Sequence, residues 1–154
     1  MRLTDPLQTS VNDPPQSAVC ARYSRLAPAG PRPPRILHVE DNLTVSEAVK
    51  ETLEAAGFAV ETCADGAEAA RRLAGGARFD LLIFDNELPG LSGLELITWA
   101  RRLPLSRRLP IIMLSASDAE AEARRAGADA YLRKPEGIEQ LAPTVARLLR
   151  EDSL

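Results

Sequence analysis

The sequence predicts an α/β fold in which a doubly wound parallel sheet carries helices on both faces. Five short apolar runs alternate with amphipathic segments between residues 35 and 150. Three of these runs are apolar almost throughout, as expected for parallel strands that are covered on both sides. Repetition of strand followed by helix favours right-handed crossovers between the strands.

The apolar runs mark the predicted strands, and the segments between them mark the helices. The strands are Ile36–Val39, Phe58–Val60, Leu81–Phe84, Ile111–Leu114 and Ala130–Leu132. Apolar residues between Val45 and Ala56 recur at helical spacing and stop at Gly57, which predicts a first helix with a glycine at its end. A short second helix covers Ala67–Leu73, before a pair of glycines.

The last three helices are predicted from their caps and their apolar residues. Ser92 is a suitable N-cap for the third helix, and Ser117 or Asp118 for a fourth that ends at Gly127. Apolar residues between 138 and 149 mark the fifth helix. Pro143 falls inside that pattern, so it either begins a shorter helix or kinks a longer one.

Proline content separates an N-terminal tail from the predicted domain. Seven of the 12 prolines lie within residues 1–34, where no hydrophobic period persists. We therefore expect residues 1–34 to be a disordered, proline-rich tail, which is either a docking segment or an unselected extension. Residues 35–154 would form one domain, and the length of the chain leaves no room for a second folded output domain.

Charge, cysteine content and hydropathy narrow the class of protein. The formal net charge is −3, from 19 basic and 22 acidic residues, which gives no broad surface for direct DNA binding. The two cysteines form no disulfide framework. No apolar run approaches the roughly 20 residues that cross a bilayer. We expect a cytoplasmic protein that does not contact membranes.

Reactive side chains follow four of the predicted strands. Glu40 and Asp41 follow the first strand, Asp85 follows the third, Ser115 ends the fourth, and Lys134 with Pro135 follows the fifth. In such sheets the carboxyl ends of the strands form the ligand site. Grouped carboxylates suit Mg²⁺, while a lysine and a hydroxyl suit a phosphoryl group. One of the carboxylates could act as a nucleophile toward that group.

Each of these residues also has a purely structural interpretation. The Glu40-Asp41 pair could cap a helix, Asp85 could belong to a turn, and Lys134 could be a surface lysine. A single site explains all of them together, so we favour it. His38, inside the first strand, is expected to pack in the interior rather than to bind metal or transfer a phosphoryl group.

Three motifs, in chain order, resemble the receiver domain of bacterial two-component response regulators. They read ILHVEDN at residues 36–42, LLIFDNELPG at 81–90 and GADAYLRKP at 127–135. The resemblance runs from Arg35 to about Arg150. Because this stretch is essentially all of the chain that is expected to fold, the chain resembles a single-domain, chemotaxis-type regulator. It implies a flavodoxin-like fold whose five parallel strands follow the order 2-1-3-4-5.

The resemblance implies roles for the residues of the acidic site. Asp85 matches the phosphoacceptor. Asp41 matches the direct Mg²⁺ ligand, and Glu40 would act on the ion mostly through water. Asp85 itself and the backbone carbonyl of Glu87 would complete the metal site.

The resemblance also implies a switch around the phosphoryl group. Ser115 matches the hydroxyl residue that moves to bind that group, and Tyr131 matches the aromatic residue that swings inward behind it. Lys134 would pair with a phosphoryl oxygen. A cis peptide bond before Pro135 would orient this lysine.

The implied function is signalling by phosphorylation. A sensor histidine kinase or a histidine phosphotransfer protein would donate the group, and the phosphorylated form, a monomer or weak homodimer, would bind an unknown output protein. The protein would not be an enzyme, although it could dephosphorylate itself. Two alternatives remain: an adapter of the same fold that does not use phosphorylation, and a Mg²⁺-dependent phosphatase with an aspartate nucleophile.

Three departures from the family's usual pattern concern the output side. The stretch from Ser115 to Gly127 is about three residues short, nearly one helical turn. Pro143 interrupts the last helix, and Glu136-Gly137 stands where a bulky apolar residue is common. Glu87, two residues after Asp85, is a further candidate, which we expect to tune Mg²⁺ affinity or the loss of the phosphoryl group.

Overall fold

Strands and helices alternate from Arg35 to Asp152 in the computed structural model, which describes residues 26–152. The strands are β1 (Arg35–Val39), β2 (Ala59–Cys63), β3 (Leu81–Phe84), β4 (Ile111–Ser115) and β5 (Ala130–Arg133). The helices are α1 (Leu43–Ala55), α2 (Gly66–Ala74), α3 (Gly93–Arg102), α4 (Glu120–Ala126) and α5 (Gly137–Asp152). All strand pairs are parallel, in the order β2-β1-β3-β4-β5, which confirms the predicted topology.

Two apolar clusters, one on each face of the sheet, form the core. Ile36 of β1 packs in the cluster with α1 and α5, whereas its neighbour Leu37 packs in the cluster with α2, α3 and α4. Successive residues of a strand point to opposite faces, so each strand contributes to both clusters. β3 and β4 are buried at every position, which agrees with their unbroken apolar sequences.

The edge strand β2 begins later and extends further than its apolar residues indicated. Phe58 precedes the strand, and Glu61 and Thr62 belong to it. β2 pairs only with β1, so its outer side tolerates polar side chains. The exposed carboxylate of Glu61 accepts a hydrogen bond from Arg35 Nη2 at 2.8 Å.

The predicted cap is right for α3 and wrong for α4. Ser92 and Glu95 form a complete capping box at the start of α3. α4 instead begins after Ala119, without a side-chain cap, because both predicted capping residues lie in the loop before it. With seven residues, α4 is the shortest of the five helices described.

Pro143 lies in the interior of α5. The helix starts six residues earlier, at Gly137, so the interpretation of Pro143 as a helix start is wrong. Proline has no N–H to donate to the preceding turn. The next residue, Thr144, donates its hydroxyl to the Gln140 carbonyl of the preceding turn at 2.7 Å.

Residues 26–34, which the sequence assigned to the disordered tail, lie against the domain. Leu26 and Ala27 pack on the cluster that contains α1 and α5, and Ala27 N donates to the Ala56 carbonyl at 3.1 Å. Arg32 pairs with Asp80 at 3.3 Å. This segment forms neither helix nor strand, so periodicity could not reveal its contacts. The rest of the predicted tail, residues 1–25, lies outside the described residues.

The helices of the described part are amphipathic rather than uniformly apolar. Within residues 26–152, none of them has both the length and the apolar character that a membrane-spanning helix needs.

Candidate functional site

Three carboxylates meet at the carboxyl edge of the sheet. Glu40 and Asp41 follow β1, and Asp85 follows β3, which lies beside β1. One oxygen of each carboxylate lies within 4.8 Å of the others. Glu40 and Asp85 are only 3% and 5% exposed, whereas Asp41 is exposed. The cluster is therefore a buried acidic pair that opens to solvent through Asp41.

Backbone hydrogen bonds hold the buried pair in register with the sheet. Glu40 N donates to the Cys63 carbonyl at 2.9 Å, and Asp85 N donates to the Val39 carbonyl at 3.0 Å. These bonds continue the parallel ladder one residue beyond the strands. The ends of β1 and β3 therefore fix the backbone positions of Glu40 and Asp85.

Lys134 joins the cluster from the end of β5. Its ammonium group donates to Glu40 Oε2 at 2.8 Å and to Asp85 Oδ2 at 3.2 Å. Its backbone N–H donates to the Ser115 carbonyl at 3.0 Å, and the peptide bond between Lys134 and Pro135 is cis, as expected. The structure thus brings together the charged residues that the sequence singled out.

Burial and neighbouring groups shift the pKa values of Glu40 and Lys134. Burial, with the neighbouring Asp85 carboxylate, raises the pKa of Glu40 to about 7, and Lys134 only partly opposes the shift. Burial disfavours the ammonium form of Lys134, but its hydrogen bond with Glu40 and the charge of Asp85 outweigh this and raise its pKa. One ammonium group thus faces three carboxyl groups, an arrangement that favours a further cation.

The donor set fits a hard divalent cation. All candidate ligand atoms of Glu40, Asp41 and Asp85 are carboxylate oxygens. Mg²⁺ prefers such oxygens, and it commonly keeps water and takes phosphate oxygens at its remaining positions. The exposed side of Asp41 leaves room for both.

The loop after Asp85 is folded tightly against the start of α3. Glu87 N donates to Asp85 Oδ1 at 3.4 Å, while Gly93 N donates to the Asn86 carbonyl at 3.1 Å. A Cβ at Gly93 would lie 2.2 Å from the Asp85 carbonyl oxygen. Sequence reasoning missed this role of Gly93, although a glycine directly after the Ser92 cap was a signal for close packing.

Ser115 ends β4 and Tyr131 lies in β5, and the hydroxyl groups of both contact the loop before α4. The buried Ser115 hydroxyl lies 2.9 Å from the Ser117 hydroxyl and accepts a hydrogen bond from Ser117 N at 3.2 Å. The Tyr131 hydroxyl donates to the Ser117 carbonyl and accepts a hydrogen bond from Ala119 N at 3.2 Å. Ser117 thus links the two predicted switch residues, a contact that depends on the path of the loop.

His38 is fully buried in β1, as predicted, and neither ring nitrogen has a hydrogen-bond partner among residues 26–152. Burial and, to a smaller extent, the charge of Lys134 lower its pKa to about 4, against the opposing charge of Asp85. The ring is therefore neutral at pH 7, and it packs in the interior.

The sequence of residues 36–146 matches the model of the response regulator receiver domain. The chain belongs to this family. It is 44% identical over 120 residues to the phosphate regulon transcriptional regulatory protein PhoB of Rhizobium meliloti (strain 1021), which covers 76% of this chain and 52% of PhoB. It is 38% identical over 124 residues to the response regulator MprA of Mycobacterium sp. (strain KMS), covering 79% of this chain and 53% of MprA. The chain spans about half the length of these relatives.

Solved structures confirm the receiver fold. The chemotaxis response regulator CheY4 of Vibrio cholerae superposes with a TM-score of 0.69 at 35% identity, over 75% of this chain and 98% of CheY4. The receiver domain of the sensor histidine kinase PA1611 of Pseudomonas aeruginosa PAO1, 33% identical, gives a TM-score of 0.66 over 76% of this chain and 98% of that domain. That structure has a magnesium ion coordinated in its active site cleft. Receiver domains are signalling switches of two-component systems, and this chain contains one.

Proposed function

We propose that this receiver accepts a phosphoryl group on Asp85 and then signals by binding another protein. The observation that carries the proposal is the setting of the Asp85 carboxylate. Its Oδ2 accepts from Lys134 at 3.2 Å, its Oδ1 accepts from Glu87 N at 3.4 Å, and two further carboxylates lie beside it. A carboxylate held this way is oriented for attack and remains close to a cation site.

The phosphoryl donor would be a phosphohistidine on a sensor histidine kinase or a histidine phosphotransfer protein. A carboxylate oxygen of Asp85 attacks the phosphorus atom, the O–P bond forms as the N–P bond breaks, and the imidazole leaves with the electron pair. The Lys134 ammonium is placed to stabilise charge on the phosphoryl oxygens.

Mg²⁺ would be held by Asp41, Asp85, the backbone carbonyl of Glu87 and, through water, Glu40. When bound, Mg²⁺ would neutralise charge on the phosphoryl group during transfer. The carboxylate oxygens of Glu40, Asp41 and Asp85 converge closely enough for this role.

Phosphorylation would switch the loop before α4. It adds about −1.5 to −2 of charge, which needs hydrogen-bond donors. Turning toward that charge, the Ser115 hydroxyl would give up its contacts with Ser117, and this would release the backbone that Tyr131 holds. Tyr131 then swings inward, and the surface formed by α4, β5 and α5 changes for an output protein.

The domain organisation and cellular setting are part of the same proposal. Residues 35–154 act as the receiver, preceded by the proline-rich tail of residues 1–34, in a cytoplasmic monomer or weak homodimer. The formal net charge of −3 argues against direct DNA contact by this chain. A second candidate is the receiver part of a longer transcriptional regulator, because the chain spans only 52% of a relative that bears that name.

Incubation with acetyl phosphate and Mg²⁺, read by intact mass, tests the proposal. We expect the wild-type protein to gain one acid-stable, base-labile phosphoryl group, and Asp85→Asn to gain none. No adduct with any small donor would favour the adapter. Continuous release of phosphate from many phosphomonoesters would favour the phosphatase.

A further inference from the structure

The Arg101 side chain ties the C-terminal end of α4 to three other parts of the domain, in addition to the packing of Ala126 and Ala128 on the core. Arg101, at the end of α3, donates to the Gly127 carbonyl from Nε at 3.1 Å and from Nη2 at 2.6 Å. Nη2 also donates to Asp129 Oδ2 at 2.9 Å. Nη1 donates to the carbonyls of Leu109 at 2.6 Å and Arg107 at 3.0 Å. The guanidinium group therefore connects α3, the loop before β4, α4 and the start of β5.

Asp129, the acidic partner of Arg101, is itself hydrogen-bonded to the sheet. Asp129 Oδ2 also accepts from Ile111 N at 2.9 Å, and Asp129 N donates to the Ile111 carbonyl at 2.8 Å. These residues lie where β4 and β5 begin, at the edge of the sheet opposite to Asp85. The ion pair of Arg101 with Asp129 is largely shielded on the arginine side, where the side chain is 22% exposed. Hydrogen bonds of a charged guanidinium group are stronger than neutral ones.

The other end of α4, where Ala119 is buried, has no charged side chain holding it among the described residues. Ala119 provides no side-chain cap, and its N–H donates to the Tyr131 hydroxyl at 3.2 Å. Ala123 is the one buried residue within α4, and a methyl group contributes only about 0.8 kcal/mol of apolar burial. The loop before this end carries Ser117, which contacts both Ser115 and Tyr131.

We infer that Arg101 makes the Gly127 end of α4 a fixed pivot, so that a change in the 115–119 loop swings only the Glu120 end of the helix. The trigger, a turn of Ser115 toward phosphorylated Asp85, rests on the proposed function. The pivot itself rests on the contrast between the three Arg101 hydrogen bonds to Gly127 and Asp129 at one end and the single Tyr131 hydroxyl contact at the other. Arg101 is a positioning residue, since it touches none of the reacting groups.

Amide hydrogen exchange of the full chain tests the pivot, with beryllofluoride and Mg²⁺ as the phosphoryl mimic. In the wild-type protein, the mimic should change exchange in residues 116–121 by about tenfold and in residues 124–130 by less than about twofold. Arg101→Met should let the change spread to residues 124–130. Arg102→Met, which removes the exposed neighbouring guanidinium group, should behave like wild type.

The outcomes separate this inference from the proposed function. Equal changes at both ends of α4 in wild type, or a wild-type pattern in Arg101→Met, would overturn the pivot. If the mimic binds neither the wild-type protein nor the variants, the proposed function fails. The inference about Arg101 is then tested by amide exchange of the unliganded variants. Exchange in residues 124–130 about tenfold faster in Arg101→Met than in Arg102→Met then supports the anchor, and equal exchange overturns it. Should Arg101→Met not fold, Asp129→Asn, which removes the charged partner and keeps the carbonyl contacts, takes its place.

Discussion

The ammonium group of Lys134 lies 2.8 Å from Glu40 Oε2, across the acidic edge of the sheet. The pair is largely buried, with side chains 14% and 2% exposed. The same ammonium group contacts Asp85 at 3.2 Å. The protonation of Glu40 and the charge of Lys134 therefore both act on any cation or phosphoryl group that enters the site.

Mg²⁺ affinity should fall as the pH falls. The pKa of Glu40 is about 7 without metal, so acidification protonates the carboxyl group and metal binding must displace that proton. We expect the affinity to drop by about tenfold between pH 8 and pH 6, measured by isothermal titration calorimetry. Glu40→Gln should bind more weakly and lose this pH dependence. The same slope in the variant would show that Glu40 is not the titrating group.

Replacing Lys134 should separate metal binding from phosphorylation. Lys134→Met removes a positive charge beside the carboxylates, so Mg²⁺ should bind more tightly, while transfer from acetyl phosphate should slow by about tenfold or more. Lys50→Met is the matched control, because Lys50 is the only other lysine and lies on the exposed side of α1. An unchanged transfer rate in Lys134→Met would contradict the assigned role.

Gly93→Ala should disturb the loop that carries Asp85. The added Cβ would lie 2.2 Å from the Asp85 carbonyl oxygen, a contact that forces the backbone apart. We expect a loss of about 1–3 kcal/mol in the free energy of unfolding, together with slower phosphorylation. Gly30→Ala is the control, since the atom nearest to its added Cβ, the Arg32 carbonyl oxygen, would be 3.7 Å away. Equal stability of the two variants in urea unfolding would rule out the close approach.

His38→Leu should stabilise the protein, increasingly so toward acid pH. Both buried ring nitrogens lack partners, so an apolar side chain of similar size removes a desolvation cost of about 1–3 kcal/mol. The folded pKa of about 4 lies below the ordinary value of 6.5, so the unfolded chain binds the extra proton between these limits. The wild-type protein therefore keeps its full stability with respect to His38 titration above pH 6.5. It loses that stability as the pH falls from 6.5 toward 4, because protonation of His38 favours the unfolded chain.

The stability difference between His38→Leu and wild type isolates this effect, because Glu40 titrates in both proteins. The raised pKa of Glu40 acts in the opposite direction, since its folded form retains a proton between about pH 7 and 4.5. Urea unfolding at pH 7 and pH 5 measures the difference. If the difference in the free energy of unfolding between the two proteins is the same at both pH values, the claim that His38 is buried in its neutral form is wrong.

Glu87→Ala should weaken Mg²⁺ binding or change the lifetime of the phosphoryl group. The Glu87 side chain is exposed, and its backbone N–H contacts Asp85, so it can add negative charge near the site without entering the core. Glu51→Ala, an exposed change on α1, controls for the loss of charge. If Mg²⁺ affinity and dephosphorylation rate both match those of wild type, Glu87 has no tuning role.

The sequence by itself determined the order of the elements and the convergence of the charged residues. Apolar runs such as Leu81–Phe84 indicate strands, because a parallel strand covered on both faces is apolar at every position and a run this short is too brief for a buried helix. Since parallel strands end at one edge, residues placed directly after them, such as Asp85 and Lys134, had to meet there.

Only the tertiary structure decided the contacts that depend on loops and on long side chains. The packing of Leu26 on the core, the backbone approach at Gly93 and the link between Ser115 and Ser117 lie in segments without periodicity. Arg101 and Arg102 are adjacent and chemically identical, yet one binds three carbonyls and an aspartate while the other is exposed. The two residues point in different directions from the last turn of α3. The Arg101 side chain faces Gly127, and the Arg102 side chain faces solvent.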